Sequence, residues 1–390
     1  MINSNKYKHF IDTLDKQSNI YSLADSYDLT DTIDEFKKKI DKRYQFLLND
    51  IEKNGANLRL YNNYSNEKKK VNIDVTINNI SDLLTLIDTY PNDPNIEYNI
   101  DIKTLHTIKT PLVYLNEMIG MKSLKNNIVE QIIYFLQKLQ IKSNGEFMHT
   151  VISGPPGTGK TEVAKIMGNL FSKIGVLKSG SFRKVTRSDL IAGYLGQTAI
   201  KTSEVIKESL GGVLFIDEAY ALGNAEKRDS FAKECIDTLC EALSDHKDNL
   251  MVIIAGYENE LNNCFFNYNQ GLESRFVWRF KTDNYDAEDL LRIFKKKIGD
   301  INWALHPDCH LTKVWFVKNK DQFTFFGRDI ETFLSKVKIA HSNRVFCKPI
   351  EEKKKITMDD IDKGFKTYLD HKIKKDGDQL NKYLQNTLYC

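Results

Sequence analysis

VISGPPGTGKT, residues 151–161, is the stretch on which the fold turns. An apolar run enters a glycine-rich turn, and Lys160-Thr161 then opens a helical run, which matches G-x-x-x-x-G-K-[ST] in the strand–loop–helix setting that the motif needs. Gly154, Gly157 and Gly159 carry no side chain that would obstruct backbone N–H groups turning inward around an anion. Pro155 and Pro156 stiffen the entry, and Thr158 completes the turn. Lys160 brings a point charge for the β- and γ-phosphates, and the predicted helix from Glu162 to Phe171 directs its positive end at the same place. The Thr161 hydroxyl is the candidate magnesium ligand. A glycine-rich turn with an accidental lysine is the rival reading, and the completeness of the motif argues against it.

Downstream, Gly212–Tyr220 reads GVLFIDEAY: four apolar residues make a buried strand, and Asp217 and Glu218 stand at its carboxyl end, where ligands bind in open parallel sheets. There Asp217 suits magnesium, held through water, and Glu218 suits the orientation and polarisation of an attacking water. Either carboxylate alone could be a helix cap; following a phosphate loop, that reading recedes. NLMVIIAGY, 249–257, is a further buried strand that again ends in a polar aromatic, Tyr257. NYNQGLESRFVWRF, 267–280, sets Arg275 and Arg279 among apolar residues. An arginine fork suits phosphate oxygens, a salt bridge is the alternative for each, and for Arg279 the salt bridge is favoured.

On the other side of the loop, Met118-Ile119-Gly120 forms an apolar turn before a helix whose Leu124, Ile128, Ile132 and Phe135 share one face. That turn suits an adenine base or simple core packing equally. Tyr194-Leu195-Gly196 lies in a loop bracketed by Gly193 and Gly196, so the aromatic is either an exposed binding residue or one folded back on its own helix. Beyond the last core strand, Asp286–Ile298 and the run from Gly327 read as helices of a smaller region, the second with an apolar face of Ile330, Phe333, Leu334, Val337 and Ile339. Arg328 sits in the first turn of that helix, where a cation opposes the helix dipole, so it is expected to serve an anion. A last helix is predicted over Ile356–His371 with Thr357 as its cap, followed by a mobile tail.

Residues 1–112 carry no motif. Thr32–Asn54 has apolar residues three or four apart, which fits a core-facing helix or a short coiled coil. Lys68–Lys70 reads as a solvated loop, VNIDVTI as a strand and SDLLTLIDTY as a capped helix ended by Pro91, with a linker around Thr110-Pro111.

The 390 residues suffice for two or three domains, and 41% hydrophobic with 28% charged residues is ordinary for a globular chain. A net charge of +3 is too small to argue for an anionic membrane and counts against a nucleic-acid partner. Six cysteines without a C-x-x-C pair point to reduced thiols in a cytoplasmic setting. The cluster His306, Cys309, His310 lacks the further ligands that zinc needs. No apolar run approaches the ~18 residues of a membrane span.

In this order and spacing, GPPGTGKT, DLIAGYLGQTAIKT, GGVLFIDEAY, VIIAGY, GLESRF and FGRDIETFL resemble the AAA+ ATPases, and more narrowly the CbbX/CfxQ and stage V sporulation protein K group, from about Leu115 to His371. The resemblance implies an α/β P-loop NTPase with a parallel sheet core and a small helical lid, preceded by a small α+β region: 1–112 of unknown role, 113–284 ATPase, 285–372 lid, 373–390 tail. It implies ATP and Mg2+ as ligands, Gly154–Thr161 as Walker A, Asp217 and Glu218 as Walker B, and Tyr257 at the sensor-1 position. It further implies Arg275 as an arginine finger entering a neighbour's site, Arg328 as sensor 2, and Tyr194-Leu195-Gly196 as a pore loop gripping a protein substrate. A homo-oligomeric ring, typically a hexamer, follows. Two departures stand out: sensor 1 is Tyr257 where many relatives have Asn or Thr, and Asn269-Gln270-Gly271-Leu272 replaces N-P-G-L before the finger. Neither the protein substrate nor a Rubisco role carries over. A nucleic-acid loader and an ATP-binding scaffold are the rival functions on the same core.

Overall fold

The computed structural model describes residues 68–138, 147–194, 196–223 and 229–388, with side chains as far as 373. The amphipathic run Thr32–Asn54 and Leu195 lie outside the described residues.

Buried strands organise the chain around one sheet. β1 (Thr150–Ser153), β2 (Phe182–Val185), β3 (Val213–Ile216), β4 (Met251–Gly256) and β5 (Trp278–Lys281) form a five-stranded sheet in the order β2-β3-β4-β1-β5. Every pairing is parallel. β1, β3 and β4 are buried along their whole length, as strands covered by helices on both faces must be. Alternate residues feed the two layers of core. Ile152, Phe215 and Ile253 enter one layer; Val151, Leu214, Ile216 and Ile254 enter the other.

α1 (Ile80–Thr89), α2 (Ile102–Glu117), α3 (Lys122–Leu136) and α4 (Lys160–Ile174) belong to the first layer. α5 (Arg187–Leu190), α6 (Thr198–Glu208), α7 (Ser230–Asp245) and α8 (Gln270–Arg275) belong to the second. Asn79 and Asp82 cap α1 reciprocally, and Tyr90 ends it just before Pro91.

Several expectations about the first third fail for tertiary reasons. Thr110-Pro111 is no linker: Pro111 lies inside α2, whose Ile108, Leu112 and Leu115 are fully buried, so the boundary drawn at 112 cuts a helix. α2 packs on α4, and that burial outweighs the missing proline N–H. Lys69–Val71 is a short strand paired with Ile96–Tyr98, its lysines exposed, where a loop is expected. VNIDVTI is a strand only at Val71. Beyond it, the Asn99 side chain accepts from the Ile73 N–H (2.8 Å) and donates to the Ile73 carbonyl (3.0 Å), standing in for a partner strand.

The lid consists of α9 (Ala287–Gly299), α10 (Lys313–Lys318), α11 (Gly327–Val345) and α12 (Met358–Leu388). Asp286 and Asp289 cap α9 reciprocally. An aromatic cluster fills the interior, with Trp315 and Phe294 both stacked on Phe333 at 5.5 and 5.2 Å. On α11 the buried face is Ile330, Phe333, Leu334, Val337 and His341. Ile339 is 56% exposed, because two residues past Val337 is more than half a turn away. His341 and Arg344 both bond the buried Asp360 and so fasten α11 to α12. Thr357 does not cap α12 through its hydroxyl, which is buried without a partner; the Asp360 carboxylate instead accepts its N–H at 3.0 Å. The predicted tail is helical as far as Leu388.

Candidate functional site

At the carboxyl ends of the strands, where β1 separates β4 from β5, lies a cavity of about 580 Å³. The phosphate-loop residues Gly154, Pro156, Gly157, Gly159, Lys160 and Thr161 line it. The backbone explains the glycines. Gly157 and Gly159 have φ of 75° and 84°, and a Cβ on Gly157 would stand 2.2 Å from the Phe325 carbonyl oxygen. Pro155 and Thr158 brace the loop from behind. Thr158 is buried, its hydroxyl donating to the Pro155 carbonyl (2.9 Å) and meeting the Thr282 hydroxyl at 3.0 Å.

Lys160 opens α4, and its Nζ donates to the carbonyls of Gly154 (2.9 Å) and Pro155 (2.7 Å). Burial pulls its pKa down to about 8, and Arg328 adds to that; Asp217 and Glu218 pull the other way without restoring it. A cation at the start of a helix that follows a glycine-rich turn fits a polyphosphate.

β3 delivers Asp217 and Glu218 to the same cavity. Asp217 donates its N–H to the Val185 carbonyl (3.0 Å), and its carboxylate meets Lys184 of β2 at 2.6 Å. Glu218 sits in the left-handed region, φ 52° and ψ 45°, a conformation that non-glycine residues hold mainly where the surroundings over-determine it. β4 delivers Tyr257, whose ring lies 5.9 Å from that of Tyr220. From the lid, Arg328 enters the cavity; among the described residues no carboxylate pairs with it. Thr161 and Asp217, both lining the cavity, are the residues that could hold magnesium.

Ile119 lines the far end with Met118, Met121, Tyr285 and Ile293, an apolar surface suited to a base. Gly120 does not line it. With φ of 69° it makes room for Tyr285, whose ring would stand 2.5 Å from a Cβ there.

Two expected groups lie elsewhere. Arg275, at the end of α8, donates from Nε to Ser244 (2.7 Å) and from a terminal nitrogen to the Gly271 carbonyl (2.7 Å), away from its own chain's cavity. Asn269 caps α8 by accepting the Gly271 N–H at 2.9 Å, which holds the turn where the resemblance expects proline. Arg279 pairs with Glu273 as expected. Tyr194 is 75% exposed, with Gly196 beside it at φ 80°, so it is not folded back on its helix. Among the described residues no cluster of three or more His, Cys, Asp or Glu could hold a metal, His306 and Cys309 included.

Tyr285 escaped the sequence reading. Its hydroxyl donates to the Thr158 carbonyl (3.0 Å), its ring meets Phe326 edge-on, and burial pushes its phenol up to about 12. With the Gly327 N–H donating to the Gly157 carbonyl at 3.1 Å, it ties the phosphate loop to the lid. The only local signal is an aromatic directly before the capping sequence Asp286–Asp289.

Fold and cavity define a P-loop ATPase, and comparison with known proteins narrows the class. The model for the ATPase family associated with various cellular activities (AAA) matches residues 150–276. A CfxQ-like protein of Acanthamoeba polyphaga mimivirus is 43% identical over 269 residues, 68% of this chain and 66% of that protein, so the chain spans just under two thirds of that relative. CbbX of Cereibacter sphaeroides is 34% identical over 59% of this chain and 76% of its own. The chloroplastic ribulose bisphosphate carboxylase/oxygenase activase of Cyanidioschyzon merolae is 32% identical over 63% and 85%. The chain belongs to the AAA ATPases, in their CbbX/CfxQ group.

Proposed function

We propose that the chain assembles as a ring, of hexameric size, and couples ATP hydrolysis in this cavity to the remodelling of a partner protein. The observation that carries the reading is the convergence of Gly154–Thr161, Asp217, Glu218, Tyr257, Ile119 and Arg328 from separate segments on one cavity, while Arg275 and Tyr194 point elsewhere.

In this reading the loop N–H groups and Lys160 hold the phosphates, and Ile119 with the turn at Gly120 holds the base. Thr161 and Asp217 hold magnesium, which when bound neutralises phosphate charge. Glu218 accepts the proton of the attacking water, Tyr257 orients it, and Arg328 contacts phosphate from the lid. Arg275 has neutral oxygens for partners, so its charge remains for a phosphate of an adjoining copy. Tyr194 to Gly196 grips the polypeptide. The boundary at 284/285 between ATPase part and lid falls between β5 and α9.

The Cyanidioschyzon relative is by name an activase of another enzyme, which supports a protein partner but not that particular one. Among the described residues no helix is long and apolar enough to cross a membrane, and the charge of +3 gives nucleic acid little purchase.

The test is steady-state phosphate release per protomer as a function of protein concentration. The parent's turnover rises as the ring forms. Glu218→Gln keeps nucleotide binding but loses turnover, and Arg275→Ala loses roughly a thousandfold. Turnover independent of concentration through the assembly range would falsify the ring.

A further inference from the structure

We infer that Lys184 is a tethered counter-ion for Asp217 that competes with the divalent cation and so sets how much free magnesium the site needs. The inference rests on the reading of Asp217 as magnesium-holding and goes beyond it.

β2 and β3 are adjacent and parallel, with Lys184 in register with Phe215, two residues before Asp217. From there the Lys184 ammonium reaches the Asp217 carboxylate at 2.6 Å. Strand alternation makes this specific: Arg183, the next cation on β2, turns to Glu208 of α6 instead. The pair is half open, with Lys184 46% and Asp217 25% exposed, so its lysine can leave the carboxylate without unpacking the core.

Asp217 is already within the field of Lys160, and Arg328 lies in the same cavity. A third cation brings no help to a phosphate-holding set that is already positive. It neutralises the metal-holding carboxylate while that carboxylate is unliganded.

A divalent cation whose water the carboxylate accepts competes with the ammonium for the same oxygens, and a displaced Lys184 still repels it from close by. Both effects weaken metal binding, so the sign of the Lys184 contribution is fixed. Solvent exposure limits its size.

Mn2+ titrated into the full-length chain with a saturating non-hydrolysable ATP analogue, with free Mn2+ read by electron paramagnetic resonance, tests this. Mg2+ competition gives the physiological ion. Lys184→Met binds Mn2+ about two- to fivefold more tightly than the parent, the range expected of a half-exposed ion pair. Asp217→Asn binds it more weakly, and Lys184→Met added to Asp217→Asn gives a smaller gain than in the parent, because only the direct repulsion is left to remove.

Unchanged Mn2+ affinity in Lys184→Met overturns the inference and leaves Asp217 as the metal residue. Weakened affinity overturns it in favour of a Lys184 that serves the phosphates. A parent that binds no Mn2+ beyond what the analogue chelates alone overturns the reading of Asp217 itself.

Discussion

Lys160→Met, which abolishes phosphate binding, is expected to stabilise the fold in the absence of nucleotide. Lys160 has its pKa lowered from 10.5 to about 8, chiefly by burial. At about 1.4 kcal/mol per unit, the charged lysine costs the folded state up to about 3 kcal/mol. The ammonium is only partly buried, and discounting for solvent leaves about half of that. Loss of the bonds to the Gly154 and Pro155 carbonyls offsets roughly 1 kcal/mol, so the methionine protein gains about 0.5–1 kcal/mol at pH 7.

The pH dependence isolates the cause. Below pH 8 the lysine is charged in both states and its cost is complete. Between about 8 and 10.5 the folded parent has released a proton that the unfolded chain retains, so the parent's stability rises with pH relative to the variant. The gap therefore falls by about 1 kcal/mol between pH 7 and 9.5, enough to close it or reverse its sign. Urea unfolding of both proteins without nucleotide, at the two pH values, measures it. A gap that is constant or widens refutes the argument that burial of the charge is the cause. With excess ATP and magnesium the order inverts, because only the lysine form gains from binding.

Leu112→Ala costs about 2–5 kcal/mol in urea unfolding, the range for a fully buried leucine; a linker residue would cost almost nothing. Tyr285→Phe leaves the buried Thr158 carbonyl without its donor and lowers stability by about 1–2 kcal/mol in urea unfolding. Gly157→Ala, forced against the Phe325 carbonyl at a φ of 75°, loses ATP binding in a fluorescent-nucleotide titration. Arg275→Ala removes two hydrogen bonds to neutral groups and costs only about 1–2 kcal/mol in melting, well short of explaining a thousandfold loss of turnover.

The site was legible where chemistry forces residue type at fixed spacing. Gly157 and Lys160 follow from what a phosphate needs, and Asp217 from a buried strand that must end somewhere. Tyr285 was not legible, because its partner Thr158 lies 127 positions away and nothing local marks the pair. Lys184 likewise meets Asp217 only through strand order. Pro111 misled because a local rule about proline was set against burial of Ile108 and Leu112, which sequence alone cannot weigh. Ile339 shows the same limit on α11: an apolar residue off the stripe is simply exposed, while His341 is buried against Asp360.

Glu218 holds a twisted main chain that glycine would adopt without effort, and an amide in its place inherits the same discomfort. Glu218→Gly should thus yield a sturdier but inert protein, by roughly 1 kcal/mol, and Glu218→Gln an inert one of unaltered sturdiness. Robustness and turnover pull in opposite directions at this one position, which makes the orientation of the carboxylate a property of the chain's path and not of its side chain alone.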